Sequence, residues 1–238
     1  MKDASDNYYW SASFLLLLIA ADFSFIGLQI LHSWGYAGDP RFSLGAERGY
    51  AEVYQYVKFF WTAFILGWFT LEKREAVYVV GMLLFLYLLF DDSLTIHETV
   101  GGSLVDLFSL PSAFGLRGQD FGELGVSAIA GIFFLASGWV AYRHSGAFAR
   151  RVGFYLLAGV FALAIFGVGM DLAHQLLASR FSWIDTPLVV LEDGGELIVV
   201  SAISWFIYSL ADQELTFLQV YSPLESGDRS ALRIKGED

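Results

Sequence analysis

Apolar residues run along this chain in long blocks, and ionisable residues gather where the blocks end. Six blocks approach or exceed the ~20 helical residues needed to cross a ~30 Å hydrocarbon core: 10–34, 50–71, 76–99, 121–142, 152–178 and 183–210. The first is too long for a cleavable leader, has no basic stretch before it and no small-x-small site after it, so it is kept as a helix. The pattern predicts an all-α, polytopic membrane bundle of about six transmembrane helices. Residues 1–212 are expected to form it, and 213–238 a solvated cytoplasmic tail.

Composition agrees with the pattern. The chain is 56% hydrophobic and 17% aromatic with a mean hydropathy of +0.54, outside the range of soluble domains. It contains no cysteine, which excludes disulfides, thiolate metal sites, iron–sulfur clusters and cysteine nucleophiles. The 14 Lys and Arg residues are scattered, with no basic patch for nucleic acid.

Basic residues in short loops mark the cytoplasmic side. Lys73, Arg74, Arg143, Arg150 and Arg151 fall in two loops of one side, joined by Lys2 and by Arg229, Arg233 and Lys235 of the tail; Arg41, Arg48, Arg117 and Arg180 fall on the other. Both termini are therefore expected in the cytoplasm of a cell whose inner membrane holds the protein.

With that orientation, acids collect in the external half of the bundle. The block 76–99 ends in FDDSLTIHET, with Asp91, Asp92, His97 and Glu98. The next blocks add Glu123, then Asp171 and His174 in GMDLAHQ, then Glu192, Asp193 and Glu196 in LEDGGEL. Asp171 and His174 stack at i and i+3, Glu192 and Glu196 at i and i+4. On a continuous helix Asp91, Thr95 and Glu98 share a face and His97 points about 120° away from it. Asp120 reads as a helix cap, Glu52 and Asp92 as surface residues, and Asp22 and His32 of the first block as candidate supports. Lys58 either snorkels or supplies a counter-charge. Gly194 and Gly195 suggest a close backbone approach.

Carboxylates crowded into a low-dielectric site cannot all stay ionised unless cations, shared protons or basic partners neutralise them. Ionisable groups inside membrane helices are costly and mark function. The expected site is therefore a metal centre with ligands among Asp91, Glu98, Glu123, Asp171, His174, Glu192 and Glu196, with His97, Asp193, Asp22 and His32 as further ligands or supports. Hard oxygen donors with one or two imidazoles suit iron or manganese, and zinc less well. The Asp171-x-x-His174 pair resembles the Glu-x-x-His of di-iron carboxylate bundles, which implies an oxidoreductase; a metal hydrolase fits the same ligands. The expected substrate is membrane-associated, lipid or quinone-like. The competing expectation is a proton- or cation-translocating protein using the same carboxylates. A haem pocket between His97 and His174 is disfavoured by the surrounding acids, and no nucleophile elbow surrounds Ser93.

Overall fold

The computed structural model describes residues 4–178 and 181–233, with side chains for 11–177, 181 and 183–214. Eight helices follow in order: α1 Ala4–Ser33, α2 Tyr50–Lys73, α3 Ala76–Ser93, α4 Ile96–Phe108, α5 Gly118–His144, α6 Ala147–Ala164, α7 Asp171–Ala178 and α8 Asp185–Arg233. No β-strand occurs among the described residues; one isolated bridge joins Ala113 and Leu116. The expected tail begins inside α8, whose backbone stays helical to Arg233; residues 234–238 lie outside the described residues.

Five stretches are long and apolar enough to cross a membrane: Ser11–Ser33, Ala76–Ser93, Gly118–His144, Ala147–Leu177 and Asp185–Glu214. The block 50–71 does form a helix, α2, but a less apolar one. Gln55, Lys58 and Thr62 are buried along it where it packs between α3 and α8, so its polar residues face protein.

Two of the blocks do not form the uninterrupted helices their apolar runs suggest. The run 76–99 breaks at Leu94 and Thr95; Thr95 adopts φ 48°, ψ 45°, a left-handed conformation that no helix propagates. The run 152–178 contains a π-helical segment at Ile165–Met170, between α6 and α7. Such segments insert an extra residue into the turn and rotate everything after them.

The core is apolar. Leu66, Phe85, Val200 and Ile207, from α2, α3 and α8, are fully buried, and Leu156 and Leu163 of α6 pack against the same cluster. At one end of the bundle, Ser145 accepts from the backbone N–H of Val77, Glu75 accepts from that of Gly146, and Lys73 pairs with Glu214. The opposite end gathers the α1–α2 loop, the α3–α4 elbow, the start of α5, α7 and the start of α8. Helix α5 packs on α3 and α4 but is the least covered of the five spans: only 6% of its apolar window is buried, against 44% for α8.

Candidate functional site

The break at Thr95 builds the first half of the site. Once α3 stops at Ser93, the chain turns back and α4 starts beside the last turn of α3. The Asp91 carboxylate then accepts the backbone N–H of His97 on Oδ1 (3.0 Å) and meets the ring Nδ1 on Oδ2 (3.1 Å). An acid at a helix start stabilises the free N–H groups there, so Asp91 closes the first turn of α4 from outside it. His97 therefore lies against Asp91, where an unbroken helix would have turned it away. Asp91, Asp92 and His97 each offer one ligand atom, all within 4.8 Å of one another.

His97 and Glu98 titrate abnormally. The Asp91 hydrogen bond, reinforced by the charges of Asp91, Asp92 and Glu98, pushes the His97 imidazole up to about 9. Burial, with the charge of Glu47, raises Glu98 above the usual carboxylate range. The His97 Nε2 lies 3.9 Å from Glu98 Oε1.

The second half is built on α7 and α8. After the π-helical segment, His174 turns its Nδ1 to Glu192 Oε2 (2.7 Å) and its Nε2 to Asp185 Oδ1 (3.1 Å). Asp171 lies one turn earlier, 3.5 Å from the Gln175 amide. Glu196 Oε2 accepts from Gln55 Nε2 of α2 (2.9 Å). Two glycines make this packing possible. A Cβ on Gly167, inside the π-helical segment, would overlap the Glu196 carboxylate, and one on Gly195 would overlap the Phe166 ring. Gly194 lies against Ile26 of α1, so both glycines of LEDGGEL serve close approach.

A third contribution comes from α5. Gly101 of α4 and Gly122 of α5 cross backbone to backbone, leaving no room for a side chain on either. The Gln119 amide donates to the Glu98 carbonyl (2.9 Å) and to Glu123 Oε1 (2.7 Å), which ties the start of α5 to the elbow. Asp120 accepts the Arg117 backbone N–H (2.7 Å) and pairs with its guanidinium (2.6 Å); it is not the N-cap expected from the sequence, which is Arg117, but the third helical residue, reaching back in a capping box, and this pairing raises Arg117.

The acids and both histidines of these three parts, apart from Asp185, line one cavity of about 1480 Å3. Glu47, Glu52, Asp91, Asp92, Glu98, Asp120, Glu123, Asp171, Glu192, Asp193 and Glu196 lie on it, and Arg117 is the one Lys or Arg among its lining residues. Arg117 is already committed to Asp120, so no further Lys or Arg of the lining faces the other acids.

Asp22 and His32 do not join the cavity. Asp22 is fully buried between α1, α2 and α8, where Lys58 Nζ donates to it (3.0 Å), to the Leu197 carbonyl (2.8 Å) and to Ser201 (3.1 Å). Lys58 thus neither snorkels nor reaches the acids of the cavity. The His32 ring contacts the Ala37 carbonyl at 2.7 Å and closes the loop after α1. Conversely, Asp92 and Glu52, read from the sequence as surface residues, line the cavity. Asp185, Gln55 and Gln119 escaped sequence reading altogether. Gln55 carried a signal, an amide one turn before Lys58 in an apolar run; Asp185 and Gln119 lie in loop-like sequence with none.

Residues 12–211 match the model of a family described as a domain of unknown function (DUF8692). No curated protein and no solved structure gives a match to the chain.

Proposed function

The chain belongs to that DUF8692 family, and from its site we propose that it is an integral-membrane metalloenzyme whose carboxylate- and imidazole-lined cavity binds iron or manganese and acts on a membrane-associated substrate. One observation carries the reading: Asp91, Asp92 and His97 offer three ligand atoms within 4.8 Å of one another at the mouth of a cavity with a large excess of acid. Bound cations relieve the repulsion that such an excess creates. Glu98, Glu123, Asp171, His174, Glu192 and Glu196 complete the donor set around the same space, with Asp193 beside them. A hard-donor set of this kind suits iron or manganese, and zinc less well.

Within this reading, α2 is a sixth membrane crossing, its polar face packed between α3 and α8 and its exposed Val57, Phe60 and Phe64 facing lipid, and both termini lie in the cytoplasm. The cavity then opens toward the external side of the inner membrane. The cysteine-free chain makes this testable: Ser112→Cys should react with an impermeant maleimide added from outside and His144→Cys from inside, and the reverse would invert the topology.

The metal, when bound, supplies a Lewis acid or a redox centre. The protein's own residues do the rest. Asp91 orients the His97 ring, so that Nδ1 is engaged and Nε2 is left for a ligand or a proton. Asp185 and Glu192 hold His174 from both ring nitrogens, so His174 joins the donor set only by releasing one of these two carboxylates. Gln119 and Gln55 fix Glu123 and Glu196 by donating to one oxygen of each.

The direct test is thermal unfolding of chelator-stripped protein with added Mn(II), Fe(II) or Zn(II). A ligand held at a hundred times its Kd stabilises the native state by about 2.7 kcal/mol. The expected result is a concentration-dependent rise in Tm with Fe(II) or Mn(II), absent in Asp92→Asn/His97→Ala; no rise with any of the three would refute the reading.

A second reading, proton or cation translocation, has one observation in its favour. The Asp22–Lys58 pair is fully buried, and Asp22 Oδ2 has no hydrogen-bond partner among the described residues. Buried ionisable groups of this kind line proton paths. Flux in liposomes that Lys58→Met abolishes would favour it over the metalloenzyme.

A further inference from the structure

The cavity has a second, apolar part. Beyond the acids it continues between α3, α5 and α6 as far as Val77, Tyr142 and Phe154, at the opposite end of the bundle. Along α3 the distance from Asp91 to Val77 is 14 residues, about 21 Å of helix. One leaflet of a ~30 Å hydrocarbon core is about 15 Å deep, so the cleft can hold the full length of a lipid chain. Its walls are Leu84, Leu88, Phe134, Leu157, Val160 and Phe161.

Two glycines keep the cleft open. Gly131 and Gly138 lie seven residues apart on one face of α5 and both line the cavity. A Cβ on either would meet nothing within 4 Å. Gly81 and Gly153 line the same cleft, yet both are packed, against Leu66 and Val77. The space beside Gly131 and Gly138 is therefore not filled by any described side chain.

We infer that this cleft holds the hydrocarbon chain of a long-chain amphiphile whose polar head lies among the acids at Asp91, Asp92 and Glu196. The inference rests on the reading of those acids as the reaction site, and names its substrate class. Charge complementarity selects the head: the lining carries eleven carboxylates against one guanidinium, committed to Asp120, and two imidazoles, and this excess of acid disfavours a free anionic group and favours an uncharged or basic one, such as a hydroxyl, a quinone or an amine. The chain supplies binding and the head meets the acids. Burying an apolar chain against apolar walls is favourable in proportion to its length, although the surrounding lipid competes for it.

The test uses the full-length protein in phosphatidylcholine vesicles with two probes, a hexadecanol and a hexadecanoic acid, each bearing a mid-chain diazirine. After illumination, adducts are mapped by mass spectrometry. The alcohol should label the cleft walls saturably, and the acid should label them much less. Gly131→Phe/Gly138→Phe fills the cleft from α5, and Leu157→Trp narrows it from α6. Each should remove most of the saturable cleft labelling, because the added rings occupy the space that the chain would fill. Labelling of the lipid-exposed Ile129, Ile132 and Phe133 on α5 should not change.

Labelling spread evenly over exposed faces, unsaturable and indifferent to the filling substitutions, would overturn the inference. So would labelling by the acid alone, or a dimer that closes the cleft with a second copy of the chain. Metal content measured on the same samples separates the two readings. Saturable cleft labelling in protein that holds no metal supports the chain site and refutes only the metalloenzyme.

Discussion

Asp91 has both carboxylate oxygens engaged by one residue, His97, and this pair sets the protonation of the elbow. The raised imidazole is charged at neutral pH in metal-free protein. Its contribution to stability is therefore fully present below the ordinary histidine value near 6.5 and is lost as pH rises through about 9. In a 13C-histidine NMR titration of the metal-free protein, one of the four rings should titrate near 9 and fall toward the ordinary value in Asp91→Asn. A ring unmoved by that substitution would detach His97 from Asp91. Metal uptake, which needs the neutral ring, should strengthen with pH over the same range. Lys58 obeys a different rule. It is fully buried with Asp22, so Lys58→Met leaves a carboxylate without its partner and should cost about 3–5 kcal/mol in denaturant unfolding, whereas Asp22→Leu/Lys58→Met should recover most of that loss. A double variant as unstable as the single one would mean that packing, rather than charge, is what the pair supplies. The sequence singled out Asp22 and Lys58 as unusual, but their pairing depends on where α1 and α2 cross, which side-chain periodicity within one helix does not encode.

Among the helices, the informative features are interruptions. Hydropathy reads 76–99 and 152–178 as single spans because neither run contains proline, and glycines such as Gly167 and Gly169 are common in membrane helices. The left-handed Thr95 and the π-helical Ile165–Met170 arise from tertiary packing, and each turns a histidine toward its partners: His97 to Asp91, His174 to Glu192 and Asp185. That is why sequence reading found the acids of α3, α7 and α8 but turned His97 away from them, and why it set Asp92 on the surface. The α4–α5 crossing depends on Gly101 and Gly122 in the same way. Gly122→Leu would drive a side chain into the backbone of α4, and overpacking of this kind costs about 1–3 kcal/mol. It should also separate Gln119 from the Glu98 carbonyl and weaken metal binding, read as a lower Tm gain with Mn(II). An unchanged Tm gain would show that α5 is dispensable for the site.

For the molecule as a whole, alternation of long helices sends the helix ends that carry Asp91, Asp171 and Glu192 to the same side of the bundle. This part was legible: an all-α chain of long apolar helices follows from block length, and the co-location of Asp91, Asp171 and Glu192 follows from counting turns. Their convergence on one cavity, and the extension of that cavity along α5, were not legible, because both depend on how far α5 stands from α6. The architecture suits an enzyme that draws a chain-bearing substrate from the membrane and presents its head to a charged end. The measurement to make first is metal content by inductively coupled plasma mass spectrometry on detergent-purified protein, wild type beside Asp92→Asn/His97→Ala. Near-stoichiometric iron or manganese in the wild type, lost in a variant that stays folded, is the expected result. Wild-type protein that stays metal-free after loading with each ion would contradict the account and leave translocation by the same carboxylates as the reading to pursue.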